Sequence, residues 1–233
     1  MHYTYSQMLG RTADILEAVI DGFIDTGEPV SSGWVYKHHD FGIKPAMIRW
    51  ELDGLSRSGF LEQPHHSAGR IPSDRGYEFF AERALLRKEG SLGADWAFNL
   101  FRRCAWENLA EELSDQLGLA ALVKERKEIY KTGIDELVEN LDWDEPSEIK
   151  TAIRDFVGLE EKLSIMARRL FENAPRVFIG KKSPVTRSGG LAVVGGMYQS
   201  EDGEVLLLVI GPKRMDYKKT IKIFKNLDGR TRK

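Results

Sequence analysis

At 233 residues, 42% hydrophobic and 30% charged, the chain has the length for one large domain or two small ones and the composition of an ordinary globular protein. No run approaches 18 apolar residues, which excludes a transmembrane helix, and the single Cys104 excludes an intramolecular disulfide or a cysteine metal cluster. The net charge of −2 conceals a gradient: residues 1–85 hold 8 Lys and Arg against 12 Asp and Glu, residues 86–173 hold 13 against 19, and residues 174–233 hold 13 against 5.

The opening MHYTYSQMLGRTADILEAVIDG sets acids inside its apolar pattern and lacks a signal-peptide layout, so a cytoplasmic location is expected. Ile15, Leu16, Val19, Ile20, Phe23 and Ile24 recur at a helical period, and Gly27 and Pro29 stop that helix. Ser31 or Ser32 caps a short second helix, SGWVYKHHD, which leaves Lys37 and His38 facing outward. After the connector FGIK, Pro45 suits the first position of a third helix that runs to about Ser58, with Gly59 as its C′ stop. On a helical wheel Ile48, Glu51, Leu52 and Leu55 form the inner stripe. Ala46, Trp50, Asp53 and Arg57 lie opposite, flanked by Arg49. FLEQ is a strand, residues 64–69 a tip and RIP a returning strand. Ser73 then caps a fourth helix with Tyr77, Phe80, Ala81 and Ala84 inward.

Helix, helix, turn, helix, hairpin, helix within about 85 residues is the order of a winged helix, whose third helix enters the DNA major groove. The hairpin tip then reaches backbone or minor groove, with Arg70 as its probe and Gly69 allowing close backbone approach. Lys44, Arg49 and Arg57 are the candidate major-groove residues. Ser31 and Ser32 are candidate phosphate contacts at the start of the second helix. Trp50 fits either an apolar contact to DNA or packing against the C-terminal domain.

KEGSLGAD (88–95) is a linker between an N-terminal domain, 1–87, and a C-terminal one, 96–233. Trp96, Leu100, Cys104, Leu109 and Leu113 support one helix, with Cys104 on its inner face. IDELVENL is a short helix, and residues 146–173 form one long amphipathic helix. RVFIG, LAVVGGMY and EVLLLVIG are strands. A last helix sets Ile221, Phe224 and Leu227 against Lys218, Lys222 and Lys225, an ordinary solvated face. The fold class is α+β, with an antiparallel C-terminal sheet covered by helices.

GEPVSS, MIRWELDGLSRSGFLEQPHHSAGRIPSDRGYEFF and VIGPKRMDY together resemble HrcA, the bacterial heat-inducible transcription repressor family. The shared positions include Ile48, Arg49, Gly59, Gln63, Pro64, His65, Ser67, Gly69, Arg70 and Tyr77. Near the C-terminus Gly211, Pro212, Arg214, Met215, Asp216 and Tyr217 fit the family's IGPxRMDY. Three departures stand in the DNA-facing region: Trp50 where the family has Asn, Met47 where it has Thr, and His66 where it has Thr. The resemblance implies an N-terminal winged helix and a C-terminal GAF-like regulatory and dimerisation domain. It further implies a homodimer that represses chaperone genes from an inverted-repeat operator (the CIRCE element), with activity tied to a GroEL-type chaperonin. It adds Met47, His65, His66 and Ser67 to the DNA-facing set. The chain is shorter than typical members, so the dimerisation insert is expected to be absent or reduced.

Two other classes remain: a winged-helix module that binds protein through Trp50, which the acidic balance of residues 1–85 favours, and a metal or effector sensor built on His38, His39, His65 and His66. Adjacent His pairs rarely ligate one ion together, and no Cys or carboxylate set completes a site. With no phosphate loop, nucleophile elbow or HExxH, neither a catalytic nor a metal-ligating set is expected, nor a cofactor. Arg214 and Asp216 fall at a strand-to-helix junction, where charges commonly fix the joint.

Overall fold

The structure is a computed structural model that describes residues 8, 10–87, 94–141, 146–170 and 175–231. Most of the expected linker, residues 88–93, lies outside these. The chain divides into residues 1–83 and residues 84–233.

In the first unit α1 (Arg11–Thr26) buries Ala13, Ile15, Leu16, Val19 and Ile20 and ends at Gly27, whose left-handed φ of 71° lets its N–H reach Phe23 O. Helix α2 (Ser32–His38) lays Trp34 over Gly22 of α1, where a Cβ would come within 2.5 Å of the indole. Ser31 is the cap, accepting the Trp34 N–H at 3.1 Å. Helix α3 (Pro45–Arg57) starts on Pro45 and presents Ile48, Leu52 and Leu55 to the core beside Val35, Phe60 and Tyr77. Glu51 shares that buried stripe because its carboxylate accepts from Thr12 Oγ1 at 3.1 Å and lies 3.7 Å from Arg11.

The hairpin has two residues per strand, β1 (Leu61–Glu62) and β2 (Ile71–Pro72), paired Leu61 to Pro72 and Glu62 to Ile71. Val30 and Arg70 add a third piece by exchanging both backbone hydrogen bonds, at 2.9 and 2.8 Å. Helix α4 (Asp74–Leu86) is capped by Ser73 Oγ, which accepts the Gly76 N–H and donates to Gly59 O. Arg83 of α4 grips α1 through Glu17 at 2.6 Å and Asp14 at 3.2 Å.

The second unit is built on a five-stranded antiparallel sheet in the order β4-β3-β7-β6-β5. Its strands are β3 (Ala120–Glu125), β4 (Glu128–Thr132), β5 (Arg176–Ile179), β6 (Leu191–Ser200) and β7 (Gly203–Pro212). One face, with Leu122, Val193 and Leu208, packs on α7 (Ile134–Glu139), α8 (Pro146–Val157) and α9 (Leu163–Leu170) through Leu137, Phe156 and Met166. On the other face Tyr198 meets Phe101 of α5 (Asp95–Arg102) and Phe224 of α10 (Tyr217–Thr231), and donates its hydroxyl to Phe224 O at 3.0 Å.

Three expectations change here. The single helix over Trp96–Leu113 is two, α5 and α6 (Trp106–Leu117), because Cys104 sits at φ 52° between them. Cys104 is therefore not on the inner face of a helix; it is half-buried in a link. The long helix over 146–173 breaks after Val157: Gly158 ends α8 and a 3₁₀ turn, Leu159–Lys162, precedes α9. That turn brings Lys162 Nζ to Asp155 Oδ1 at 2.9 Å and to Val185 O at 2.7 Å. The hairpin β3–β4 was not expected, since AALV, buried on both faces, shows no alternation.

Asp155 is 3% exposed and also accepts the N–H groups of Arg187 at 2.5 Å and Ser188 at 3.1 Å, holding the segment before β6. Asp155→Ala leaves the Lys162 ammonium without its counter-charge, holding only Val185 O, and those N–H groups without their acceptor. It is expected to cost about 3–5 kcal/mol in urea denaturation of the full chain.

Candidate nucleic-acid interface

Helix α3 and the hairpin carry most of the candidate residues. The turn before α3 is set by Gly42, at φ 66°, whose N–H donates to Asp40 Oδ1 at 2.9 Å. With Ile48, Leu52 and Leu55 inward, the outer arc exposes Lys44, Ala46, Met47, Arg49, Trp50 and Arg57. Met47 and Trp50 are 47% and 48% exposed, large values for apolar side chains. Among the described residues Lys44, Arg49 and Arg57 form no ion pair.

Arg70 stands just past the hairpin tip, where the returning segment begins. Its side chain is 12% exposed and its Nη2 donates to Asp53 Oδ1 of α3 at 2.5 Å, so the guanidinium is turned onto α3 rather than outward. The physical reason is the bridge to Val30, which fixes the Arg70 backbone at the base of the tip. Gly69 likewise makes its close approach to this chain, not to a ligand: a Cβ there would fall 2.5 Å from Pro29 O and Val30 C. The exposed tip is Pro64 to Ser67. Gln63 shapes it by donating from Nε2 to His66 O and Ala68 O, and His65 Nδ1 lies 3.1 Å from Ser67 Oγ.

A cleft of about 490 Å³ opens between these parts, lined by Ser31, Ser32, Arg49, Gln63, His66 and Arg70 among others. Ser31 is exposed with its hydroxyl oxygen engaged in the cap, while Ser32 is buried apart from an edge on the cleft. Of the two arginines on this lining, Arg70 is paired with Asp53 and Arg49 is not. Asp53 and Gln63 went unmarked as site residues in the sequence. Asp53 had no local signal, since its partner Arg70 is 17 residues away, while Gln63 had one in its place within LEQPHH. His38 stacks on Trp34 with ring centroids 4.2 Å apart, and His39 on Phe41 at 5.7 Å, so the first histidine pair is occupied with aromatic neighbours.

The motif Gly211, Pro212, Arg214, Met215, Asp216, Tyr217 joins β7 to α10. Asp216 Oδ1 accepts the Lys219 N–H at 2.9 Å, Tyr217 is buried with its hydroxyl on Lys213 O at 2.7 Å, and Met215 is in the core. Gly211 packs under Leu119, where a Cβ would come within 2.2 Å. Among the described residues, Arg214 Nε is buried without an acceptor. Partial burial first, and the Asp202 carboxylate second, push the Cys104 thiol above its usual value, so it stays protonated and a poor nucleophile.

A family model described as the HrcA protein C-terminal domain matches residues 96–221. The heat-inducible transcription repressor HrcA of Acetivibrio thermocellus is 40% identical over 107 residues, 46% of this chain and 29% of that protein. That of Clostridium perfringens is 49% identical over 75 residues, 32% of this chain and 22% of that protein. The chain thus aligns with less than a third of the length of these relatives. A crystal structure of a hypothetical protein, 18% identical, superposes with a TM-score of 0.73 over 96% of this chain and 97% of its own, a likeness of fold.

Gly69→Ala is expected to lower stability by about 1–3 kcal/mol, because the atoms it meets are backbone and cannot swing aside. Urea denaturation followed by tryptophan fluorescence checks this. An unchanged midpoint would mean that the hairpin shifts at no cost.

Proposed function

The chain belongs to the HrcA family, and on that premise we propose that it is a transcriptional repressor that binds double-stranded operator DNA. HrcA is a family of transcription repressors rather than of enzymes. Residues 1–87 are the winged-helix DNA-binding domain, and α3 is its groove-entering helix. Residues 96–233 form a reduced GAF-like regulatory and dimerisation domain, a reading supported by its helix-covered antiparallel sheet. The protein acts as a homodimer on an inverted repeat controlling heat-shock genes. A GroEL-type chaperonin as regulator rests on the family resemblance alone. No helix among the described residues is long and apolar enough to cross a membrane.

The observation that carries the reading is the outer arc of α3. Three cations without ion pairs lie on it, while its one carboxylate, Asp53, is engaged by Arg70. In this reading Lys44 and Arg57 contact phosphates at the two ends of the helix, and Arg49 reaches base edges or phosphate from the cleft side. Ser31, Ser32, His65, His66 and Ser67 supply hydrogen bonds to the backbone. Arg70 and Gly69 act indirectly, by setting the hairpin against α3.

The test is fluorescence anisotropy on an inverted-repeat duplex and a scrambled control at several salt concentrations. Tight binding to the repeat supports a specific repressor. Failure to bind either duplex at low salt would overturn the reading and favour the protein-binding module, which the net −4 of residues 1–85 supports. Arg49→Ala and Arg57→Ala are each expected to weaken binding by about 1–3 kcal/mol, with thermal stability unchanged because both side chains are exposed.

A further inference from the structure

Met47 and Trp50 stand one helical turn apart on the first two turns of α3, both about half exposed. Lys44 precedes them, Arg49 lies between them in sequence and Arg57 ends the helix two turns on, and the only carboxylate on that arc is held by Arg70. A large apolar pair flanked by free cations fits a surface that is apolar at its centre and anionic at its margins. The floor and walls of a DNA major groove have that layout wherever thymines line the floor.

We propose that Met47 and Trp50 are specificity-determining residues that read thymine 5-methyl groups in the major groove. This rests on the reading of α3 as the groove-entering helix. The chemistry selects the base. Methionine has only a weak sulfur acceptor and tryptophan a single N–H donor, so neither can pair with the two polar groups that guanine or adenine presents to the groove. Pressing them onto those edges would strip water from acceptors and donors and leave them unpaired. The thymine methyl is the bulkiest apolar group on the groove floor, larger than the cytosine C5–H, and covering it removes apolar surface from water on both partners. The N-terminal turns of a recognition helix are the ones that approach base edges, and both residues lie there. Lys44 and Arg57 are 13 residues apart, so about 20 Å of helix axis separates the two cations that bracket the pair.

The test uses the full chain; its first arm needs no variant, and its second compares a variant whose fold is checked by its unchanged thermal midpoint. A duplex enriched from a random-sequence pool by the protein is synthesised twice, once with thymine and once with uracil at every thymine of the half-sites, which removes only the methyl groups. The thymine duplex is expected to bind more tightly by about fourfold for each contacted methyl. The double variant Met47→Gln, Trp50→Gln, which keeps good helix formers on an exposed face, is expected to bind the two duplexes alike. Equal binding of both duplexes by the unaltered protein overturns the proposal and leaves the DNA-binding reading standing. Persistence of the preference in the double variant also overturns it, since the methyls would then be read elsewhere. Enrichment of no duplex at all at low salt is a different failure, that of the DNA-binding reading itself.

Discussion

The N-terminal unit depends on the backbone pairing of Val30 with Arg70. A hairpin of two residues per strand is marginal in water, and this one is held because the Val30 strand closes on its second strand with two hydrogen bonds. The approach is so close that residue 69 has no room for a Cβ. The same residue that makes the backbone bridge sends its side chain to Asp53, so one arginine ties the α1–α2 connection, the hairpin and α3 together. The ion pair itself adds little, about 1 kcal/mol or less, because the Asp53 side chain is 40% exposed. Its effect is geometric: it fixes the distance from the tip to the outer arc of α3, and it removes the one negative charge from that arc.

Carboxylates are used in the same way in the second unit. Asp155 and Glu148, both on α8, hold the segment between β5 and β6: Asp155 through two backbone N–H groups, Glu148 through Ser188 Oγ and the Gly190 N–H. Asp216 caps α10 at the end of β7. The segment from 183 to 190 carries Pro184, Gly189 and Gly190 and little regular structure. Its order therefore comes from acceptors on a neighbouring helix, and the sheet edge at β5 inherits its position from them.

What was legible in the sequence follows from how local the cause is. The first unit's order of elements could be read because Gly27, Pro45, Gly59 and Ser73 mark each boundary within a few residues. The core stripe of α3 was equally plain, even for Glu51, whose burial is made tolerable by Thr12 and Arg11, 39 and 40 residues away. The direction of Arg70 was not legible. Nothing near residue 70 says that residue 30 will lie beside it or that its side chain will meet Asp53, 17 residues away. In the second unit the glycines of β6 and the apolar runs of β6 and β7 announced strands. β3 and β4 escaped because a doubly buried strand and a short partly exposed one lack a two-residue period. The break at Cys104 has no sequence mark, since a left-handed φ at a cysteine is set by packing.

The acidic balance of residues 1–85 looks like an argument against a polyanionic partner, yet it concerns the wrong quantity. Glu17 and Asp14 are held by Arg83, Glu51 by Thr12 and Arg11, and Asp53 by Arg70. Those four acids lie on α1 and α3, each within reach of an arginine of the same unit. Lys44, Arg49 and Arg57 have no such partner and share one exposed arc. At a screening length of about 8 Å in physiological salt, a phosphate at that arc meets these three cations first and the paired acids beyond them only weakly. Net charge governs long-range attraction, so on the proposed reading association with DNA gains little from steering. Once contact is made, the local arrangement decides, and that arrangement is cationic around an apolar centre.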